Sequence, residues 1–311
     1  MIRPIPLVLA VFLSVHGLRK RSLSPSGAAA AFAVGYTMMA VPLIAFGVSL
    51  IVFYLTGSRA TKVGKALKNK LEEGHQEAGY RNATQVLCNS FSAAVAALLW
   101  SALYEPGSWA AKLFGLANVS LGEQVPYELS KWCPLTPPPA AAWSRALLFV
   151  TLGHFACCLG DTLASELGIL SSSRPILITT LKPVPPGTNG GMSVMGTVSS
   201  LAGGLFMGLT IAVSLIWQST ACRAQWIDIV SSLALWGTLA GGLGSLLDSL
   251  LGATLQCTRY LNSTHRIVTD EGGAPAPGAD VKVISGLDIL TNNQVNLVSS
   301  IATALLLGWA A

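Results

Sequence analysis

Long stretches nearly free of charge recur along the whole of this 311-residue chain, and they restrict it to folds that can be built in lipid. Gly27–Gly57, Ala83–Tyr104, Ala146–Gly160, Met192–Cys222, Trp226–Leu247 and Val295–Ala311 are predominantly apolar, with Ile5–Leu18 a shorter candidate. A helix needs about 20 such residues to cross a bilayer, and hydrocarbon admits only structures that pair their own backbone. Charged residues make up 11% of the chain, well below the roughly 25% of soluble domains. The expected class is an all-α polytopic membrane bundle, one domain over residues 1–311, with about eight transmembrane helices, some of them short or kinked.

One helix over Gly27–Gly57 would be roughly 46 Å long at about 1.5 Å per residue, too long for a ~30 Å hydrocarbon core. Pro42 lies near its middle, so the stretch is expected to form two short helices. Arg3 precedes the first apolar run, and Arg19-Lys20-Arg21 follows it where a signal peptide would have small residues, so a retained anchor is expected.

Positive charge assigns the sides. Arg19 to Arg21, the Arg59–Arg81 run with Lys62, Lys65, Lys68 and Lys70, then Arg174, Lys182, Arg259, Arg266 and Lys282 fall on one side of this arrangement. The other side holds Arg3, Lys112, Lys131, Arg145 and Arg223. The first set is expected in the cytoplasm, with both termini outside. Residues 105–139 then form a lumenal loop carrying the sequon Asn118-Val-Ser120, while 161–192 and 253–291 are cytoplasmic motif-bearing loops. The Arg59–Lys70 lysines read as a solvated face on anionic headgroups. The Trp132, Trp143, Trp217, Trp226 and Trp309 positions suit an interfacial belt. The six cysteines lack metal or redox spacing and read as buried free thiols. His154 beside Cys157 and Cys158 reads as core.

Within this apolar chain the polar groups are concentrated. Lys182-Pro-Val-Pro-Pro-Gly187-Thr188-Asn189-Gly190-Gly191 joins a cation to a run of backbone amides, the ingredients of a phosphate cradle. It is neither a Walker A nor a dinucleotide fingerprint. Asp161 and Glu166 stand near the end of one span, about 140° apart on a helix, so both reach one cation only if the helix breaks there. Asp248 shares a face with Ser245, Gly252 and Gln256 near the end of another. Mg²⁺ held by Asp161, Glu166 and Asp248 is the expected use, since hard cations take carboxylates together with substrate phosphates. Asn292, Asn293 and Asn296 precede the last span, and Arg81, Asn82 and Asn89 repeat a basic and amide pattern at the same boundary. Acids at membrane depth are costly and usually functional.

Gly79-Tyr-Arg-Asn82, Cys88-Asn89, Gly160-Asp-Thr-Leu-Ala-Ser-Glu166, Ile178-Thr-Thr180, Pro185-Pro-Gly-Thr-Asn-Gly-Gly191, Leu246-Leu-Asp-Ser-Leu-Leu-Gly-Ala-Thr254 and Asn292-Asn-Gln-Val-Asn296 together resemble the transmembrane protein 19 family, from about Leu18 to the C-terminus. That family is similar to the plant phytyl-phosphate kinase. The resemblance implies a membrane isoprenoid-phosphate kinase using a nucleoside triphosphate, CTP in particular, and Mg²⁺. It carries Asp161, Glu166, Lys182, Asn189, Asp248 and Asn292 over as site positions. The chain departs at Thr291, where family members often have an acid, so that a metal-binding role of that acid is lost here or passes to Asp288.

The assembled expectation makes Asp161, Asp248 and Lys182 catalytic. Lys182, Gly187 to Gly191, Asn292, Asn293 and Asn296 bind nucleotide phosphates, and Arg81, Asn82 and Asn89 bind the acceptor. The isoprenoid tail is expected between helices beside the Gly203-Gly204 and Gly241-Gly242 pairs. Partners are the bilayer, an isoprenoid monophosphate and a nucleotide, with no nucleic acid; the membrane is the endoplasmic reticulum or another endomembrane. A lipid or small-molecule transporter or scramblase, and a CTP-dependent lipid cytidylyltransferase, are the alternatives. Transporter sites usually lie at the bilayer midplane, whereas these acids cluster at span ends.

Overall fold

Proline and capping residues set where the first helices begin. In the computed structural model, which describes residues 3–64, 67–68, 71–73, 80–118, 125–268 and 280–311, α1 (Pro4–Arg19) and α2 (Pro25–Met39) both start on proline, and the Ser24 side chain accepts from the Gly27 amide. The expected break falls at Pro42, after which α3 spans Ile44–Ala60. Gln218 closes this break from a distant helix: its amide donates to the Pro42 carbonyl at 2.6 Å and its oxygen accepts from the Ile44 amide at 3.0 Å. Lys65, Lys70, Gly79, Val119 and Ser120 lie outside the described residues.

Ala83–Tyr104, expected as a single span, is two helices, α4 (Ala83–Cys88) and α5 (Phe91–Tyr104), separated at Asn89-Ser90. A short α6 (Trp109–Leu116) lies inside the segment read as the 105–139 loop. Then come α7 (Trp143–Gly168), α8 (Val194–Gln218), a single turn α9 (Thr220–Arg223), α10 (Trp226–Leu255) and α11 (Asn292–Ala310). Among the described residues, the three helices Pro139–Gly168, Val194–Gln218 and Trp226–Leu255 are long and apolar enough to cross a membrane, and Pro4–Arg19, Ile44–Ala60 and Phe91–Tyr104 are shorter apolar helices. The chain is thus a mostly helical integral membrane protein.

The all-α expectation needs a correction outside the helices. Strands β2 (Ile176–Leu177) and β3 (Gly191–Met192) pair antiparallel, and β1 (Glu72–Glu73), β4 (Thr258–Leu261), β5 (Arg266–Val268) and β6 (Val281–Ser285) form a sheet ordered β1-β5-β4-β6. The Arg-Ile-Val and Val-Lys-Val-Ile-Ser runs have the β-branched content that suits strands, and a connector too short for a helix pairs its backbone this way. The motif-bearing loops are shorter than expected too, because α7 continues to Gly168 and α10 to Leu255.

Helix α7 is the centre of the bundle, and glycine lets its neighbours approach it. A Cβ added to Gly160 would sit 2.8 Å from the Gly241 carbonyl oxygen, and one on Gly204 would sit 2.1 Å from that of Gly237. On the other side, one on Gly153 would lie 2.9 Å from the Ala304 Cα of α11. In lipid, such close backbone approach replaces the hydrophobic effect as the source of helix association. The space beside Gly203-Gly204 and Gly241-Gly242 is therefore filled by protein: backbone meets Gly203, Gly204 and Gly241, and Leu201 meets Gly242. The expected tail site there is overturned.

The two ends of the bundle differ. One end carries exposed Trp143, Trp217, Trp226 and Trp309, as a belt requires, whereas Trp132 is buried against Tyr104 and Tyr127. The same end holds a disulfide between Cys133 and Cys222, whose Cα atoms are 4.8 Å apart. This corrects the reading of all six cysteines as free. Cys133 and Cys222 both lie in the connections at this end, while Cys88, Cys157, Cys158 and Cys257 remain buried thiols.

Candidate functional site

At the opposite end, α7, α10 and α11 bring their polar residues together. Asp161 stands two turns before the end of α7, and its Oδ1 accepts from the Ser245 hydroxyl of α10 at 3.3 Å. One turn further along α10, buried Asp248 accepts from the Ser299 hydroxyl of α11 at 2.7 Å. The Asn296 amide, oriented to satisfy its neighbours, donates to Asp248 Oδ2 at 3.2 Å and to the Asn292 carbonyl at 3.3 Å. The two carboxylates are close enough to interact electrostatically. Small residues make this possible: the turn of α10 below Ser245 packs through Gly241 on α8, and Gly244 abuts Cys157 of α7.

The glycine turn reaches the same place. Gly190 adopts φ +75°, and a Cβ there would fall 2.4 Å from the Ser249 carbonyl oxygen and 2.5 Å from Ala253 Cβ. Only glycine permits both that backbone conformation and that contact. Asn189 lies over Gly252, one turn beyond Asp248. Asp161, Asp248 and the turn, far apart in sequence, thus converge on one end of α10.

Several expected roles do not survive this geometry. Helix α7 does not break between Asp161 and Glu166, so the two keep their angular separation and Glu166 turns away to pair with buried Lys68. Glu166 is not a partner of the acid pair, and Lys68 is not a headgroup lysine. The cradle of free amides is also largely committed elsewhere. The Thr188 amide donates to Pro185 O at 3.3 Å, the Asn189 amide to Thr258 Oγ1 at 3.1 Å and the Gly191 amide to Thr188 O at 2.9 Å. These bonds hold the turn in shape, which its prolines alone do not do. Thr188 is buried, and its hydroxyl donates to the Pro185 carbonyl at 2.7 Å. Lys182 is exposed on the neighbouring hairpin, its carbonyl accepting from Leu177, and Gly187 is exposed with φ +86°. Among the described residues no contact joins the Lys182 side chain to either acid.

Asn292 opens α11 and is exposed, and Asn293 beside it is half-buried. Thr291, at the position of the family departure, caps this helix in a reciprocal pair with Gln294. Asp288 pairs with Arg259 on the sheet, so it does not substitute at the acid centre. Asn82 caps α4 with Gln85 and faces outward, which removes it from the acceptor set. Arg81 and Asn89 instead line a groove that also includes Thr162, the residue next to Asp161. His154 is core: its Nδ1 lies 2.8 Å from the Ser92 hydroxyl.

Sequence reasoning missed Ser299 and Thr258, whose positions give no signal without the fold, and Thr162, masked by the acid before it. Among the described residues no three His, Cys, Asp or Glu side chains cluster as a metal site. Two carboxylates ringed by hydroxyl and amide groups still fit Mg²⁺, which keeps several waters and takes one or two carboxylates plus substrate phosphates.

The integral membrane protein family DUF92 matches residues 8–304. The chain is similar to Protein PGR of Arabidopsis thaliana, 36% identical over 96% of this chain and 93% of that protein. An uncharacterized membrane protein, sll0875, of Synechocystis is 29% identical over 76% of this chain and 73% of its own length. Protein VTE6, chloroplastic, of Arabidopsis thaliana is 26% identical over 80% of this chain and 61% of that protein. No solved structure matches the chain. These relatives do not single out the endoplasmic reticulum, since one of them is a chloroplast protein.

Proposed function

The chain belongs to the DUF92 family of integral membrane proteins, and from that premise and the geometry of its acid centre we propose that it is a membrane isoprenoid-phosphate kinase. It transfers the terminal phosphoryl group of a nucleoside triphosphate, CTP in the favoured reading, to an isoprenoid monophosphate. The observation that carries the reading is the meeting of Asp161 and Asp248, from separate helices, with the Gly190 turn. The motif resemblance to phytyl-phosphate kinases supports the substrate class.

Phosphoryl transfer asks a protein mainly to position two anions and offset their charge. Asp161 and Asp248 would hold Mg²⁺, which supplies the charge that neutralises the donor phosphates. Ser245, Ser299 and Asn296 fix the carboxylate oxygens by donating to them, and the remaining lone pairs would serve the ion. Lys182 is long and exposed enough to approach the donor phosphates from the hairpin. An oxygen of the acceptor monophosphate attacks the terminal phosphorus, and the bond to the bridging oxygen breaks, releasing the nucleoside diphosphate.

The reading includes about eight spans, α4 and α5 together forming one of them, with both termini outside and the acid end in the cytoplasm. The disulfide at the opposite end supports this orientation, because disulfides persist in oxidising compartments.

Purified protein given Mg²⁺, labelled CTP and farnesyl, geranylgeranyl or phytyl monophosphate should form the diphosphate. Asp161→Asn and Asp248→Asn should not. A CDP-linked lipid as product would select a cytidylyltransferase instead, and no turnover with any triphosphate would remove the kinase reading.

A further inference from the structure

Glycine inside a helix costs about 0.5–1 kcal/mol relative to alanine, so a helical glycine usually stands where a neighbour occupies the place of its Cβ. Along most of α7, α8 and α10 that is the case: backbone from the next helix meets Gly160, Gly203, Gly204, Gly208, Gly237 and Gly241, and side chains meet Gly242 and Gly244. In the first third of the chain Gly17, Gly27 and Gly47 are filled in the same way, by Leu23, the Arg81 carbonyl and Met39, but Gly35 and Gly57 are not. Among the described residues, and leaving aside the helix's own backbone, the nearest atom to a Cβ added to Gly35 of α2 would be Met39 Cε, at 3.6 Å. Among the described residues, a Cβ added to Gly57 of α3 would come no nearer than 3.7 Å, to Thr162 Cγ2, with Arg81 Nη2 at 4.0 Å. Both glycines line one groove, bounded by α1, α2, α3 and α4.

The groove is graded along its length. Its far part is apolar, with Leu13, Val34, Met39, Leu50 and Phe53 on its walls, and its near part carries Arg81, Gln85, Asn89 and Thr162. Arg81 is held there by its backbone, which exchanges hydrogen bonds with Ser22 and Ser24, and its guanidinium donates to Ser58 Oγ at 3.0 Å. A cation therefore sits at the mouth of an apolar slot whose glycines keep it open. Thr162, which lines the mouth, is the residue next to Asp161 along α7.

We infer that this groove between α1, α2, α3 and α4 binds the acceptor, the isoprenoid chain lying along Gly35 and the phosphate meeting Arg81 and Asn89. The inference rests on the kinase reading for its choice of an isoprenoid among long-chain monophosphates. It replaces the tail position between α8 and α10, where the glycines are filled. An uncharged isoprenoid alcohol would match the slot but not its mouth, and a two-chain phosphatidate would match the mouth but not the slot.

The test uses the full chain in nanodiscs, without nucleotide, and a farnesyl monophosphate bearing a diazirine at its terminal isoprene. Crosslinked peptides should come from α1, α2 and α3, and unlabelled farnesyl monophosphate should suppress them at least tenfold better than farnesol or phosphatidate. Gly35→Leu adds a side chain on the groove wall and should reduce labelling about tenfold, whereas Gly115→Leu, on α6 away from the groove, should leave it unaltered. Arg81→Gln should weaken labelling and Arg81→Lys should largely restore it. Crosslinks confined to α8 and α10, or wild-type labelling of Gly35→Leu, would overturn the groove. Equal suppression by farnesol would overturn the role of Arg81, and equal suppression by phosphatidate the single-chain assignment. If phosphoryl transfer fails while labelling follows this pattern, the kinase reading is lost and the groove stands; if transfer proceeds equally in wild type and Gly35→Leu, the groove is lost and the kinase reading stands.

Discussion

The acid end of the long helices and the groove among the first four are built from similar residues in opposite ways. Around Asp161 and Asp248, a Cβ built on Gly160, Gly203, Gly241 or Gly244 would meet a neighbouring atom at 3.0 Å or less, so the scaffold is closed there, and its carboxylates are fixed by donors from α10 and α11. At Gly35 and Gly57 a Cβ would make only ordinary side-chain contacts, at 3.6 Å or more. A rigid centre beside an open slot is the arrangement that group transfer to a lipid requires, because the reacting groups must be held while the lipid enters and leaves.

Substitutions at the two regions should therefore separate. The largest effect is expected at the acids: Asp161→Asn or Asp248→Asn should lower phosphoryl transfer by about 10²–10³-fold, as losing a charge-stabilising group typically does. Thermal unfolding should be little changed, and a matching loss of the folded state would show that the acids serve packing instead. Ser299→Ala removes the 2.7 Å donor to Asp248 without touching substrate. It should cost about 10–100-fold in activity, most visible as a raised Mg²⁺ requirement.

Gly241→Ala places a methyl group 2.5 Å from the Ser200 carbonyl oxygen. It should destabilise the bundle by about 1–3 kcal/mol, read as a lower unfolding temperature in detergent. The smallest effect has the opposite sign. Gly35→Ala meets no backbone and should stabilise the protein by about 0.5–1 kcal/mol. Equal destabilisation at Gly35 and Gly241 would erase the distinction between closed and open regions.

Much of the body was legible because hydrophobic runs and proline act locally. The Pro42 break and the ends of α1 follow from residues at those positions, whereas α8 stops at Gln218, short of the expected Cys222. The Asn89-Ser90 break did not, since no glycine or proline marks it and it depends on the surrounding helices. The acids were legible as costly groups in an apolar chain, and their convergence could be stated as a requirement. Their partners could not: Ser299 lies far from Asp248 in sequence, and Lys68 looked like any other member of a lysine run. The glycine turn shows the limit from the other side. Its composition announced available amides, but a turn of that shape uses amides to hold itself, and Thr258 from the sheet takes another.

The central claim is that Asp161 and Asp248 form one centre shared by metal and nucleotide. Electron paramagnetic resonance of Mn²⁺ added with CTP to the full chain in nanodiscs tests it directly. The account predicts a protein-bound Mn²⁺ signal that Asp161→Asn and Asp248→Asn each abolish while the helical content is unchanged. A signal that persists in both substituted proteins would contradict it.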